Sequence, residues 1–97
     1  MTKHVEEDKA FWFSVETGPT GFVAHNLEEM KRGFRHVPMK SIKFHLRDEK
    51  NDFAAWVREV MEEAELADRI QKIKEEFSKG SLKGIALRKN LIKTVTV

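Results

Sequence analysis

Ser41 to Trp56 reads SIKFHLRDEKNDFAAW, and its two halves follow different periods. In the first half Ile42, Phe44 and Leu46 alternate with Lys43, His45 and Arg47, the pattern of a half-buried strand with a cationic outer face. In the second half Asn51 or Asp52 can cap a helix whose apolar positions Phe53, Trp56, Val57, Val60 and Ala64 cluster on one side. The stretch therefore predicts a strand ending near His45, a charged loop from Arg47 to Lys50, and a helix start. The rest of the chain reads as scaffold for that junction.

Upstream, Phe11, Phe13 and Val15 fall on one face of an alternating run, with Trp12, Ser14 and Glu16 on the other. Thr17-Gly18-Pro19-Thr20-Gly21 has the composition to reverse the chain, and Phe22 to Ala24 can return as a second strand after a loop of about four or five residues. Asn26 and Glu29 then resemble a capping box. The helix they open carries Leu27, Met30, Phe34 and Val37 as one apolar stripe, and Pro38 prevents its continuation. Gly33 weakens that helix by about 1 kcal/mol relative to Ala, so either close packing compensates there or the last turn is loose. A right-handed strand, helix, strand crossover would set the third strand beside the first and antiparallel to it, in the order 2-1-3.

Downstream of Trp56 the apolar pattern changes phase. Leu66, Ile70, Ile73 and Phe77 lie roughly 130° around the helix axis from the Phe53 to Ala64 stripe, taking about 100° per residue. One straight helix cannot bury both, so two helices or a sharp kink are expected, with the change near Glu62 to Glu65. Gly80 ends the second, Ser81 can cap a last helix to about Lys93, and Thr94 to Val97 alternates weakly like a strand end. The predicted fold is α+β, a three-stranded, mainly antiparallel sheet with three to four packed helices in the order β-β-α-β-α-α-α. Residues 1–8 read as a frayed prefix and 9–97 as a single domain.

Composition agrees with one small domain: 97 residues, 40% hydrophobic and 35% charged. With no cysteine, disulfides, thiolate nucleophiles and Cys-ligated metals are excluded. No signal-like N-terminus and no membrane-length apolar run occurs, so a soluble, cytoplasmic protein without a membrane partner is expected. The dense charge of both signs resembles the usage of heat-adapted proteins. Net charge is only +2, yet Lys31 to Lys50 holds seven basic and two acidic residues, and Ser81 to Val97 holds Lys83, Arg88, Lys89 and Lys93 with no acid. These are the two candidate footprints for an anionic partner.

Phe44-His45, Asn51-Asp52-Phe53, Trp56-Val57 and Glu65-Leu66-Ala67 together resemble a small, mostly archaeal domain family of unknown function. Members occur alone or appended to larger chains, some of them linked to carbohydrate metabolism. The resemblance covers most of Phe11 to Ile70 and implies membership without implying an activity. Where that family usually has Gly-Asp between its two central helices, this chain has Glu62-Glu63. Losing that glycine makes a left-handed stop less favourable and a kinked continuous helix a competitor.

His45 and Asp52 are the pair with most chemical potential, since an imidazole held by a carboxylate can act as a general base or a pH switch. A hydrogen-bonded brace at the junction is the simpler expectation, because Asp52 is already explained as a cap. Histidines 25, 36 and 45 match no metal-ligand spacing, the glycines of Thr17 to Gly21 lack the Lys-Ser/Thr of a phosphate loop, and no nucleophile elbow or dinucleotide fingerprint is present. No catalytic residue, cofactor or metal is predicted, and enzyme activity has no positive support. The expected function is a protein-interaction or regulatory module, working as monomer or homodimer. Its binding rim would be His45, Arg47, Lys50, Asn51 and Asp52, and its partner an unidentified protein such as a metabolic enzyme. The alternatives are nucleic-acid binding by the basic 31–50 stretch with the C-terminal helix, and acid-base catalysis by His45 and Asp52. Phe53 and Trp56 are expected in the core. Trp12, opposite Phe11 and Phe13, must be covered by the C-terminal helices or form an exposed contact, and the need of those helices for a surface favours coverage.

Overall fold

A computed structural model describes residues 3–95. A hairpin of β1 (Phe11–Val15) and β2 (Gly18–Ala24) is followed by α1 (Leu27–His36), α2 (Met39–His45), α3 (Asp52–Glu59), α4 (Ala64–Ser78) and α5 (Ile85–Thr94). The fold is α+β, with a two-stranded antiparallel sheet and five helices.

The hairpin forms where its alternation predicts, but the turn is tighter. Val15 pairs with Gly18, leaving Glu16 and Thr17 as the reversal, and the Gly-Pro-Thr-Gly stretch lies inside β2. Its extra length is absorbed by a shift of register between Trp12 and Ser14. There Gly21 takes φ +97°, Thr20 Oγ1 donates to Phe13 O at 2.8 Å, and the Phe22 N–H donates to Thr20 Oγ1 at 3.2 Å.

The expected third strand is a helix. Pro38 is extended and precedes α2, whose buried residues Ser41, Ile42 and His45, with Leu46 just beyond, fall on one helical face while Lys40, Lys43 and Arg47 are exposed. The 2-1-3 sheet is therefore corrected to a lone hairpin. A helix buries Ile42 and Leu46 as well as a strand would, and it satisfies its own backbone. In a run this short, alternation and helical spacing overlap at the same two apolar positions.

α1 follows the sequence closely. The Asn26 side chain accepts from the Glu29 N–H at 2.7 Å, and Leu27, Met30, Phe34 and Val37 are buried. Glu29 reaches one residue further back than a capping box requires, its Oε1 accepting from the His25 N–H and Nδ1–H, both at 2.8 Å. Burial raises the Glu29 pKa, but these bonds and the nearby histidines outweigh it and hold the carboxyl below its ordinary value. Gly33 is explained by contact: a Cβ there would lie 2.5 Å from ring atoms of the fully buried Phe13.

Two helices, rather than one kinked helix, resolve the phase shift. α3 ends at Glu59, and Glu62 adopts φ +59° without the glycine that favours this conformation. The Glu63 N–H returns to Val57 O at 3.0 Å, closing the corner. α4 ends with Gly80 at φ +86° in a Schellman arrangement, Ser81 N–H to Glu76 O and Gly80 N–H to Phe77 O. α5 begins at Ile85, three residues later than a Ser81 cap would set it, after Gly84 at φ +50°. α5 runs to Thr94 and Val95 is fully buried, so the weak strand at the C-terminus is replaced by helix as far as it is described, Thr96 and Val97 lying outside the described residues.

The prefix read as a frayed end makes contacts of its own. Val5 is buried and its N–H donates to His25 O at 2.8 Å, His4 stacks on His25, and Glu7–Lys9 forms a 3-10 turn. That turn presents Lys9 O to the Trp56 indole N–H at 2.8 Å. The buried polar end of Trp56 is thereby satisfied. Trp12, in contrast, is 44% exposed, so the C-terminal helices do not cover it.

Candidate functional site

The junction anticipated at residues 41–56 forms, with different geometry. β1 has one edge paired with β2, and α2 packs along β1 so that His45 meets the other edge. The Ser14 N–H donates to His45 Nε2 at 3.0 Å, so Nε2 must be the unprotonated nitrogen. The proton then sits on Nδ1, which donates to Asp52 Oδ2 at 2.8 Å. One neutral imidazole thus closes a strand edge that a third strand would otherwise fill, and ties that edge to the first turn of α3.

The ring is set among aromatics. Phe11, Phe53 and Phe44 approach it with centroids at 4.8, 5.2 and 5.2 Å, and Phe13 at 6.2 Å. Burial pushes the His45 pKa below the ordinary histidine value, and the Asp52 carboxylate only partly offsets it. Lys50 stands 3.6 Å from the same Asp52 oxygen and, with Arg47, adds to the lowering. Protonation would turn Nε2 into a donor facing the Ser14 donor. Geometry and environment both favour the neutral ring.

Asn51 and Lys74 complete the joint. Asn51, rather than Asp52, caps α3, accepting from the Ala54 N–H at 3.0 Å, and it donates to Gln71 Oε1 on α4 at 2.8 Å; Asp52 is the first helical residue. Lys74 is buried and its ammonium donates to Leu46 O and Asp48 O, where the chain leaves α2. A cation at those carbonyls also suits the negative end of the helix. The sequence does signal Lys74: it falls four residues after Ile70, inside an otherwise apolar stripe.

Of the residues singled out in the sequence, His45 is buried, Asn51 and Asp52 are half-buried and engaged with the fold, and Arg47 and Lys50 are exposed. Residues 2–96 match the family model described as a family of unknown function, DUF5752. The chain belongs to DUF5752. No curated protein and no solved structure matches it. The Phe-His and Asn-Asp-Phe segments that carry the likeness to the domain family thus coincide, in this DUF5752 member, with residues that brace one joint.

The three histidines considered as metal ligands do not meet. His25 bonds Glu29, His36 is exposed at the end of α1, and His45 is committed to Ser14 and Asp52. Among the described residues no group of three or more His, Cys, Asp or Glu is disposed to hold a metal ion. No helix among them is long and apolar enough to cross a membrane.

What sequence reasoning missed is the outward side of α2. Lys40, Lys43, Phe44 and Arg47 face Val15, Glu16 and Thr17 of the hairpin across an open groove. The Arg47 guanidinium lies 4.0 Å from the Phe44 ring centroid and donates to Phe44 O at 3.1 Å. Reading residues 42–46 as a strand set Phe44 on the core face and hid this surface.

Proposed function

We propose that the chain is a non-enzymatic interaction module that binds a partner protein through the exposed cations beside the His45–Asp52 joint, Arg47 and Lys50 foremost. The observation that carries this reading is a division of labour. Both ring nitrogens of His45 and the side chain of Asn51 are spent on the fold, whereas Arg47 is exposed without a carboxylate partner among the described residues and Lys50 is exposed with only a 3.6 Å contact to Asp52. Acid-base catalysis by His45 has no free ring nitrogen to use. The likeness to domains appended to larger chains, some of them linked to carbohydrate metabolism, is what suggests a metabolic enzyme as the partner.

Affinity capture with the tagged chain at low and high salt, followed by quantitative binding of the retained protein, tests the reading. Arg47→Glu with Lys50→Glu should weaken binding by about tenfold or more, because like charges then face each other. Unchanged affinity overturns the surface assignment.

A second reading, nucleic-acid binding, draws support from Lys31, Arg32, Arg35 and His36, which with Glu28 line one open depression on α1. The C-terminal contribution is smaller than the sequence suggests, because Arg88 donates to Phe34 O at 2.7 Å. This reading requires affinity that drops steeply with salt. A flat salt response removes it.

A further inference from the structure

The groove between α2 and the hairpin turn has a floor and a rim of different chemistry. Val15 and Phe44 are half-buried and supply apolar floor, while Lys40, Lys43 and Arg47 stand around it with Glu16 as the one carboxylate. Its volume is about 460 Å³. Phe44 lies outside the continuous core and outside the half-buried side chains packed on it. Its ring contacts that of His45 at 5.2 Å and the cations of the following loop, Arg47 at 4.0 Å and Lys50 at 5.9 Å.

None of the three rim cations takes part in an ion pair among the described residues, where Lys3, Lys50 and Arg58 do. Lys40 and Lys43 lie three residues apart on α2, and Arg47, in the loop just past its end, lines the same groove. Arg47 is also pre-organised by its bond to Phe44 O, which lowers the entropy lost on binding.

From this we infer that the groove receives an acidic segment of a partner protein: one aliphatic side chain seated on Phe44 and Val15, flanked by carboxylates that pair with Lys40, Lys43 and Arg47. The inference rests on the interaction-module reading and names its partner chemistry. A peptide fits better than a nucleic acid, because Glu16 on the rim repels a continuous phosphate backbone while a peptide can offer a neutral residue there.

The test is an amide NMR titration of the full chain with a capped peptide, Asp-Glu-Leu-Glu-Asp, alongside versions with Leu replaced by Ser and with all acids replaced by Lys, and a single-stranded oligo-uridine. The acidic leucine peptide should shift the amides of 15–17 and 40–47. Affinity should fall several-fold for the Ser version and vanish for the Lys version. Lys43→Glu with Arg47→Glu, both on exposed positions, should lower it about tenfold or more. Phe44→Leu, which keeps an apolar floor, should bind within a few-fold of the parent.

Shifts confined to Lys50–Asp52, with none at 15–17 or 40–43, overturn the groove while leaving the module reading in place. Equal or stronger response to the oligonucleotide overturns both. Absence of any shift at millimolar peptide overturns the inference alone.

Discussion

The two sides of α2 differ in how their polar groups are used. On the inner side His45 bonds both the β1 edge and α3, and Ile42 and Leu46 are sealed in the core. On the outer side Lys40, Lys43 and Arg47 have no carboxylate partner among the described residues, and Arg47 lies against the half-buried Phe44 ring. The same short helix therefore holds the molecule together with one face and presents unspent charge with the other. A histidine beside an aspartate signals chemistry only if a ring nitrogen remains free, and here none does.

The largest effect that separates the two sides is expected from His45→Ala. It leaves the Ser14 N–H without its partner and the Asp52 carboxylate with only Lys50 among the described residues, and opens a void among four phenylalanines, a loss of about 3 kcal/mol by urea denaturation. Lys43→Ala on the outer face should stay within about 0.5 kcal/mol. Comparable losses at both positions would erase the distinction.

Gly33→Ala probes the inner packing next. In an open helix this change would stabilise by about 1 kcal/mol, but a methyl 2.5 Å from the buried Phe13 ring should reverse the sign and cost about 1 to 3 kcal/mol. A stabilised variant would mean that Phe13 is free to move, and with it the aromatic cage around His45.

The pH dependence is smaller and has a defined direction. Unfolded, the imidazole titrates near 6.5, whereas burial holds it lower in the folded chain. Between those values the unfolded state binds more protons, so the contribution is complete above about pH 6.5 and is lost as the pH falls through the folded value. Glu29, also lowered, adds a loss that begins only near its own ordinary value of 4.5. Urea midpoints followed from about pH 8 down to 5 should decline for the parent and stay flatter for His45→Gln. Parallel curves would assign the acid sensitivity to other groups.

The smallest effect runs the opposite way. Ser41 Oγ is fully buried on the inner face without a hydrogen-bond partner among the described residues. Ser41→Ala should therefore raise stability by about 1 kcal/mol in the same denaturation assay. A loss would reveal a partner for the hydroxyl and make the inner face more completely bonded.

The hairpin, α1 and the break between α3 and α4 were legible because each rests on local rules. Phe11, Phe13 and Val15 alternate over a full strand, Asn26 can cap only a helix that begins directly after it, and the turn of the stripe between Ala64 and Leu66 cannot be buried by one straight helix. A cap at Asn51 or Asp52 and the meeting of His45 with Asp52 were legible for the same reason, His45 and Asp52 lying seven residues apart across one loop, whereas the choice of Asn51 as the cap was not. Glu62 was less legible, since its φ of +59° is imposed by closure of the α3–α4 corner rather than by its own preference.

What the sequence by itself determined is the set of buried positions and the punctuation between elements: Ile42 and Leu46 had to go inside, Pro38 had to end α1, and a charged loop had to precede Asn51. Only the tertiary structure decided whether residues 39–45 reach that burial as strand or helix, because both periods bury Ile42 and Leu46. The deciding bond is between residues 31 positions apart, Ser14 N–H to His45 Nε2. A side chain closed the edge of β1, so no third strand was needed there, and the helix that delivered His45 turned Lys40, Lys43 and Arg47 outward together.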